Sequence, residues 1–372
     1  MQFKKENILF YNLQFLPYHY SRYSYLANNI DNHQKLICIE IFNKSNKYKI
    51  ESNSKYLSNS KILYKFLKLK NIYSNDGVGF INIFKIILLI NKIGVSVIFI
   101  PGYDSLLNLF ILFYCKILNK KAVLLSDSKY IDYKRNKFKE FIKSLIIGQF
   151  DFYFTAGKRS KDYLIKLSAN PSRIKTGSNV IDERNFYFDR KNYKWGNKII
   201  TVARLSKEKN LYKSLKAFKI FSQKYKESWS WTIVGYGSEY QNLKDYIKRN
   251  ELCVNLIGFQ SNIQIAKLLK INSVYFHPSL IEQWGLAINE ACANSMPILV
   301  SENCGAVDEL LSKNGWKFNP NSVDNIVEAF VQMREDKLNW AGMGHISLLN
   351  VKKYSIQNYS EKILEILGDS RS

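Results

Sequence analysis

The sequence predicts an α/β protein with two doubly wound parallel sheets. Short, fully apolar segments alternate with amphipathic segments of helical length in both halves of the chain. Such apolar strands are typical of parallel sheets that are buried on both faces and joined by right-handed helical crossovers. The chain has 372 residues, 46% of them hydrophobic, which is enough for two domains with separate cores. This composition excludes disordered and collagen-like proteins.

The first half alternates strand and helix less regularly than the second. We predict strands at residues 7–12, 35–42, 96–100, 122–125 and 151–155, and helices at 24–29, 105–118 and 160–167. Residues 43–60, rich in Asn, Ser and Lys, indicate a solvated loop or a poorly ordered insertion. The helix 105–118 is very apolar but too short to cross a bilayer, so it is either buried or dips into a membrane surface.

The second half repeats the alternation more clearly. We predict strands at 198–202, 231–234, 254–257, 274–277 and 298–300, and helices at 211–225, 239–250, 263–269, 286–294 and 307–311. The stretch 182–196 is polar and aromatic without a strand pattern, which is typical of a linker. We therefore predict domains at residues 1–185 and 186–350, followed by a helix within 351–372 that crosses back to the first domain.

The charge balance is strongly basic. The chain carries 55 Lys and Arg residues against 31 Asp and Glu residues, a net charge of +24. Residues 1–190 account for +17 of this excess. Such a field favours polyanionic partners such as nucleic acid, anionic membrane or phosphorylated ligands. The abundance of Lys, Asn and Ile throughout is equally typical of a compositional bias from an AT-rich genome.

The cysteines exclude a disulfide framework. There are five, widely spaced and without a CxxC pair, which favours a reducing compartment and argues against a zinc site. The N-terminal sequence MQFKKENILFYN has one short apolar stretch and does not resemble a cleavable signal. We expect a cytoplasmic protein without a bound metal.

Polar side chains follow the predicted strands of the second half, at the sheet edge where parallel α/β proteins bind ligands. Arg204 and Lys209 suit a diphosphate, unless they lie on a solvated helix start. The GYG turn 235–237 resembles half of a dinucleotide fingerprint, although tight turns also need glycine. Glu290 lies in an apolar stretch, where a carboxylate needs ligand hydroxyls or a lysine partner. His277, at a strand end, is interpreted as structural.

Several segments together carry a specific resemblance. SLIEQWGLAINEACANSMPILVSENCGAVDEL holds Glu282 and Glu290 at an E-x7-E spacing, and TVARLSKEKN holds Arg204 and Lys209 at an R-x4-K spacing. IVGYGSEYQNL, LIGF and NGWKFNP also look like their counterparts in order and spacing. Over about residues 195–330 the chain resembles family 4 glycosyltransferases. The resemblance implies the GT-B fold, two facing Rossmann-like domains with the site between them. It also implies retaining transfer from a nucleotide-diphosphate sugar, with no required metal or cofactor.

The resemblance assigns roles in binding the diphosphate and the sugar. Arg204 and Lys209 would hold the diphosphate, and Gly285 and Leu286 would present backbone N–H groups to it. Glu282 would contact hydroxyls of the transferred sugar or, as an alternative, act as a nucleophile. Family members have no agreed covalent nucleophile, so the implied chemistry is a front-face displacement.

The resemblance also assigns the nucleoside side of the site. Glu290 would bind the ribose hydroxyls, and Gly235, Gly258 and Phe259 would lie near the ribose and base. A UDP-sugar is favoured slightly over a GDP-sugar. Trp284 stands where the family usually has Phe, and it preserves an aromatic wall.

The first domain is expected to bind the acceptor. Its first loop, LQFLPYHYSRY, lacks the glycines of many family members and resembles a branch in which Tyr18, His19 and Arg22 face the cleft. Arg22 would meet a phosphate or an acidic acceptor, and His19 is a proton acceptor or a bystander. Asp127 and Ser128 follow a later strand, where Asp127 is an acceptor ligand, a base or part of a helix cap.

The resemblance and the charge suggest a function. We expect sugar transfer to a saccharide or lipid-linked saccharide in bacterial surface polysaccharide synthesis, such as capsule or O-antigen, at the inner face of the cytoplasmic membrane. The basic run 134–143 is either a solvated helix face or a membrane-contact patch. Alternatives are a nucleotide-sugar epimerase of the same fold, an inactive sugar-nucleotide-binding protein and a basic nucleic-acid-binding protein. The last of these is disfavoured because the chain has no recognisable nucleic-acid-binding signature.

Overall fold

The computed structural model describes residues 7–42, 60–68, 79–225 and 227–370. These residues form two parallel sheets flanked by helices, which confirms the predicted fold class. The first sheet has the order β3-β2-β1-β4-β5-β6-β7. Its strands are β1 (Asn7–Asn12), β2 (Lys35–Phe42), β3 (Ile62–Lys68), β4 (Val95–Pro101), β5 (Lys121–Ser126), β6 (Phe152–Thr155) and β7 (Ile174–Thr176). The strand order reverses between β1 and β4, and parallel sheets bind ligands at such a point.

The helices of the first domain cover both faces of this sheet. They are α1 (Pro17–Asn29), α2 (Phe80–Ile93), α3 (Leu106–Ile117), α4 (Lys137–Ile147) and α5 (Lys158–Lys166). On one face, Ile83 of α2, Ile111 of α3 and Tyr163 of α5 pack in a single apolar cluster. On the other face, α1 packs against strand residues such as Phe10, whose ring stacks on Phe99 with centroids 4.2 Å apart.

The second sheet has the order β10-β9-β8-β11-β12-β13. Its strands are β8 (Lys198–Val202), β9 (Ser230–Val234), β10 (Val254–Ile257), β11 (Val274–His277), β12 (Ile298–Ser301) and β13 (Gly315–Phe318). The flanking helices are α6 (Leu211–Lys224), α7 (Tyr240–Arg249), α8 (Asn262–Ile271), α9 (Leu286–Ala293), α10 (Val307–Leu310), α11 (Val323–Glu335) and α12 (Trp340–Lys352). The reversal here lies between β8 and β11, so Arg204 and Glu282 come from loops at neighbouring strand ends.

The last helix returns to the first domain. Helix α13 (Ile356–Asp369) packs against α1, and its Tyr359, Ile363 and Ile366 lie in the core cluster on that face of the first sheet. In the segment that joins the domains, a 3₁₀ turn at Glu183–Asn185 is followed by irregular backbone up to β8. Ile181 and Phe186 already pack with the second domain. The chain therefore crosses between the domains twice.

Some elements differ from the prediction. Helix α1 begins at Pro17 rather than residue 24, because proline fits the first helical position and the His19 ring accepts a hydrogen bond from the Leu16 N–H. Strand β3, helix α2 and strand β13 were not predicted. Strand β3 pairs with β2 at the edge of the sheet, and its lysines interrupt the continuous apolar pattern that predicts a buried strand. Residues 43–59 of the predicted loop lie outside the described residues.

The described residues include no helix that is both long and apolar enough to cross a membrane. The apolar segment predicted at 105–118 forms α3, which buries Ile111 and Leu112 and exposes Leu106, Phe113 and Ile117. The cysteines are free thiols, and Cys253 is exposed while the other four are buried. Within the described ranges, no group of His, Cys, Asp and Glu side chains is arranged to hold a metal ion.

Candidate functional site

A polar network centred on Glu282 lies at the carboxyl ends of β8 and β11. Glu282 Oε2 accepts hydrogen bonds from Lys209 Nζ at 2.5 Å and Ser279 Oγ at 3.3 Å, and it lies 2.8 Å from His277 Nε2. Lys209 is buried at the end of a 3₁₀ turn, Lys207–Lys209, that follows β8. The structure therefore brings together the predicted diphosphate cation and the predicted sugar-binding acid as a contact pair.

The environment of Glu282 keeps its carboxylate ionised. Burial raises the pKa of Glu282, but the hydrogen bonds and charges of His277 and Lys209 outweigh that and lower the pKa well below its ordinary value. A carboxylate held in this way accepts hydrogen bonds readily and is a weak base. His277 contacts Glu282 directly, so it belongs to the network and is more than a strand-end residue. Its position as the last residue of an otherwise apolar strand is the sequence signal for this role.

Arg204 lies at the rim of the same sheet edge. Its guanidinium is about half exposed, and Nη2 lies 3.4 Å from Glu208 Oε1. An exposed pair of this kind contributes little to stability, typically ~0–1 kcal/mol. Arg204 can therefore exchange Glu208 for an anionic ligand at small cost. Lys209 and Arg204 together supply a buried and an exposed cation to this edge.

Gly285 and Leu286 form the start of helix α9, as the predicted anion-binding role requires. Gly285 has φ of 102°, and a Cβ there would lie 3.0 Å from Ile288 Cδ1, so this position needs glycine. The first turn of a helix presents unpaired N–H groups. The turn at Gly285 thus directs the chain from Glu282 into α9.

Glu290 is buried on α9 and faces the first domain. Its Oε1 accepts a hydrogen bond from the hydroxyl of Tyr18, and its Oε2 has no hydrogen-bond partner among the described residues. Burial raises the pKa of Glu290 to about 7, while the Tyr18 hydrogen bond lowers it. The sequence offered a lysine as one possible partner of this carboxylate, whereas in the structure the partner is a tyrosine. A buried oxygen without a partner is costly, and a ligand hydroxyl would satisfy it.

Tyr18 was predicted to face the acceptor, but its hydroxyl lies on Glu290 of the second domain. Burial and the Glu290 charge raise the pKa of Tyr18 well above its ordinary value, so the phenol stays protonated and donates. The side chain packs with the apolar cluster of the second domain. Tyr18, in the first turn of α1, therefore contacts the second domain and does not line the first-domain cavity.

The three residues predicted around the base lie in the loops after β9 and β10. Gly235 has φ of 150°, and a Cβ there would lie 1.9 Å from the Ala203 carbonyl oxygen. Close packing of two loops therefore explains this glycine without a ligand. Gly258 has open space around it, and the Phe259 ring is 67% exposed. An exposed ring at this edge is available to a ligand.

A cavity of about 480 Å³ lies on the first-domain side of the cleft. It sits at the carboxyl ends of β1, β4 and β5, and Gln283 closes it from the second domain. Four predicted acceptor-side or catalytic residues line it: His19, Arg22, Asp127 and Ser128. The sequence did not single out several other lining residues, namely Asn12, Tyr103, Asp104, Tyr133, Ser178, Asn179, Gln283 and Tyr359. Asn12 is the last residue of β1 and Tyr103 is the second residue after β4, and these positions at strand ends are the signal that could have identified them.

Asp127 is held by side chains from the segment after β7. Its Oδ2 accepts a hydrogen bond from Asn179 Nδ2 at 2.8 Å and its Oδ1 from Ser178 Oγ at 3.2 Å. Burial raises the pKa of Asp127, while these bonds and the charge of Arg22 lower it. The cap of the following turn uses Asp132, which accepts from the Lys129 N–H. The carboxylate of Asp127 is thus left to line the cavity rather than to cap a helix.

Arg22 is buried in the cavity wall, and His19 is half-buried there. His19 Nδ1 accepts a hydrogen bond from the Leu16 N–H at 2.9 Å, so its neutral ring carries the proton on Nε2. Burial lowers the pKa of His19 to about 3. The structure therefore favours the interpretation of His19 as a bystander over that of a proton acceptor. Arg22 donates from Nε to the Val180 carbonyl at 3.0 Å and lies over the Tyr359 ring, which ties α1 to the linker and α13.

Comparison with known proteins agrees with this geometry. Residues 182–344 match the family model described as glycosyl transferases group 1. The second domain is a group 1 glycosyltransferase domain. It contains the Glu282 network, Arg204 and Glu290.

Curated relatives match less than half of the chain. The amylovoran biosynthesis glycosyltransferase AmsK of Erwinia amylovora is 33% identical over 129 residues, which cover 32% of this chain and 31% of AmsK. The α-monoglucosyldiacylglycerol synthase of Acholeplasma laidlawii is 28% identical over 166 residues, 44% of this chain and 41% of that protein. The matched segments thus span well under half of each relative. These relatives are named for polysaccharide and glycolipid synthesis.

The whole fold matches solved GT-B structures. Anabaena HepE, in a complex with UDP and glucose, superposes with a TM-score of 0.73 at 14% identity, covering 98% of this chain and all of that one. The arrangement of two Rossmann-like domains around the group 1 domain's cleft is therefore that of GT-B glycosyltransferases.

Proposed function

We propose that the chain is a retaining glycosyltransferase that moves a sugar from a nucleotide-diphosphate sugar, preferably a UDP-sugar, to a saccharide or lipid-linked saccharide. The observation that carries this proposal is the unpartnered, buried Oε2 of Glu290. It lies on the helix that starts at Gly285, beside the network of Lys209 and Glu282. One nucleotide could bind both groups: a ribose hydroxyl would donate a hydrogen bond to Glu290, and the diphosphate would accept one from Lys209.

In the proposed reaction the second domain stabilises the leaving diphosphate. The Lys209 ammonium has three N–H donors, so it can keep its bond to Glu282 and also bind a diphosphate oxygen. Arg204 exchanges Glu208 for a second oxygen. Positioning and stabilisation of developing negative charge then supply most of the rate enhancement. The N–H groups at the start of α9 add to this stabilisation.

The proposed bond changes follow a front-face displacement. The bond from the anomeric carbon to the diphosphate oxygen breaks, a bond to the acceptor oxygen forms on the same face, and the acceptor proton passes to the leaving diphosphate. Glu282 is hydrogen-bonded and strongly ionised, so its part is to orient sugar hydroxyls rather than to form a covalent bond. Asp127 binds the acceptor in the first-domain cavity. This route requires neither a metal nor another cofactor.

We further propose that the enzyme works at the inner face of the cytoplasmic membrane, in surface polysaccharide synthesis. Helix α4 supports this location because its polar side faces inward: Glu140 and Lys143 contact Tyr163. Its apolar stripe faces outward and consists of Phe138, Phe141, Ile142 and Leu145, all exposed. Lys137 and Lys139 flank this stripe. An apolar stripe bordered by lysines complements an anionic lipid surface.

The donor proposal is tested by calorimetric titration of UDP, GDP, ADP, CMP and TDP into the protein, with and without a chelator. We expect UDP to bind most tightly, with unchanged affinity in chelator. Analysis of products from UDP-sugars with membrane acceptors then distinguishes transfer with retention from epimerisation of the sugar. Failure of every nucleotide to bind, or loss of binding in chelator, would contradict the proposed donor site.

The membrane proposal is tested by co-sedimentation with vesicles. We expect the protein to sediment with phosphatidylglycerol vesicles and to stay in solution with phosphatidylcholine vesicles. Replacing Phe138, Phe141 and Leu145 with serine should abolish that sedimentation. Ile263→Ser is the matched control, because Ile263 is equally exposed but lies on α8 of the second domain. Equal sedimentation of the triple variant and the wild type would refute this role for α4.

A further inference from the structure

Lys129 is a fully buried lysine whose ammonium crosses from the first domain to the second. It lies in the loop after β5, and its side chain is 1% exposed. Lys129 Nζ donates to the carbonyl oxygens of Glu282 at 2.7 Å and Asn303 at 2.6 Å, and lies 3.1 Å from Asp132 Oδ1. The ammonium thus donates two hydrogen bonds to carbonyl oxygens of the second domain and forms an ion pair with a carboxylate of the first.

The two carbonyl groups belong to loops that are already joined to each other. Glu282 forms an isolated parallel bridge with Cys304, and its carbonyl also accepts a hydrogen bond from the Gly305 N–H at 3.0 Å. Asn303 Nδ2 donates to the Leu280 carbonyl at 2.9 Å. Lys129 therefore holds the backbone of the same residue whose carboxylate binds Lys209 and His277.

The set of groups around the Lys129 ammonium depends on contact between the domains. A buried ammonium is tolerated only when its donors are paired, and removal of its partners leaves an uncompensated charge. If the domains separate, water must replace both second-domain carbonyls around Lys129, and the Glu282 loop loses a cationic support. Closure of the cleft and the placement of Glu282 are thus coupled through one side chain.

Another interdomain cation provides a comparison. Arg159, at the start of α5, pairs with Asp308 at 2.8 Å and donates to the carbonyls of Glu302 and Cys304. Its bonds go to the segment 302–308, and its side chain is partly exposed. Both cations join the domains, but Lys129 bonds directly to the backbone of Glu282.

We propose that Lys129 is a positioning residue that transmits domain closure to Glu282. The proposal rests on the proposed transferase function, in which Glu282 orients the sugar. When the cleft closes, the Lys129 ammonium hydrogen-bonds to the Glu282 carbonyl, holds that backbone next to the first domain and thereby orients the Glu282 carboxylate. Arg204, Lys209 and Glu290, which contact the nucleotide in the proposed function, lie on the second domain, and none of them bonds to Lys129.

The test compares Lys129→Met, which keeps the length of the side chain, with Arg159→Met. UDP binding is measured by calorimetry, and turnover by UDP release from UDP-glucose. Lys129→Met should bind UDP within a few-fold of wild type and lose kcat by on the order of 10²-fold, as expected for a misplaced reacting group. Arg159→Met should lose much less kcat. Equal losses in the two variants, or loss of UDP binding in Lys129→Met, would overturn the proposal.

Hydrogen exchange tests the contact independently of activity. In Lys129→Met, amides of segments 278–285 and 301–306 should exchange several-fold faster than in wild type, while those of β9 should be unchanged. Unchanged exchange in both loops would overturn the role of Lys129 even in a protein that binds UDP. If wild type binds no nucleoside diphosphate, the proposed function fails, and the exchange result still decides whether Lys129 holds the loop.

Discussion

Replacing Glu290 with glutamine removes a buried group that titrates near neutrality. In the folded protein burial raises the pKa of Glu290 to about 7, from an ordinary value of 4.5. Between these two values the folded protein holds a proton that the unfolded chain has lost, so stability falls as pH rises through this window. The full cost above the folded pKa is about 3 kcal/mol.

The assay is denaturant unfolding of wild type and Glu290→Gln at pH 5 and pH 8. The wild-type free energy of unfolding should fall by about 2–3 kcal/mol more than that of the variant between these values. Effects of the amide that do not depend on pH cancel in this difference. Glutamine can still accept the Tyr18 hydrogen bond. Glu328→Gln, at an exposed position, is the control and should follow wild type.

Parallel pH dependence of wild type and Glu290→Gln would refute this reasoning, since it would mean that Glu290 is ionised in the folded protein at pH 5. The same variant also tests the ligand role. An amide N–H in place of Oε2 should weaken UDP binding, because the oxygen without a protein partner is lost. Unchanged UDP affinity would separate the titration of Glu290 from nucleotide binding.

Three other predictions concern the same cleft. Lys209→Met should weaken UDP binding by about 1.5–3 kcal/mol, the usual contribution of a charge-assisted hydrogen bond, and calorimetry that gives wild-type affinity would contradict its role. Gly235→Ala should lower the melting temperature clearly, because the added Cβ would clash with the Ala203 carbonyl oxygen. Gly258→Ala should have little effect, because the space around Gly258 is open. A larger drop in melting temperature for Gly258→Ala than for Gly235→Ala would contradict the packing argument. Tyr18→Phe should weaken UDP binding several-fold while leaving the fold intact, because Glu290 loses its hydrogen bond from the first domain. Calorimetric titration of UDP measures the change in affinity, and tighter binding by the variant would contradict the prediction.

The alternation of apolar strands and amphipathic helices was sufficient to predict the architecture. Strands β1, β2, β8, β10 and β11 begin and end where the pattern placed them. Burial on both faces makes such strands continuously apolar, and that signal is local. Elements such as β3 and β13 were missed because edge strands that contain lysine lack this signal.

The candidate site was predictable only where its residues follow strand ends at fixed spacings. Arg204, Lys209, Glu282 and Glu290 meet this condition, and the structure gathers them at one edge of the second sheet. Lys129 does not, because one lysine among 55 Lys and Arg residues has no distinguishing pattern in the sequence. Its burial follows from the approach of a second domain.

The sequence by itself determined the α/β class, the two-domain organisation and the set of residues at the second sheet's edge, because strand length, helical period and motif spacing are properties of adjacent residues. Tertiary structure alone decided that Tyr18 meets Glu290, that His19 is a neutral donor at Nε2, and that Lys129 supports the Glu282 loop. These contacts join residues more than a hundred positions apart or depend on burial. Such properties exist only after the two sheets have packed across the cleft.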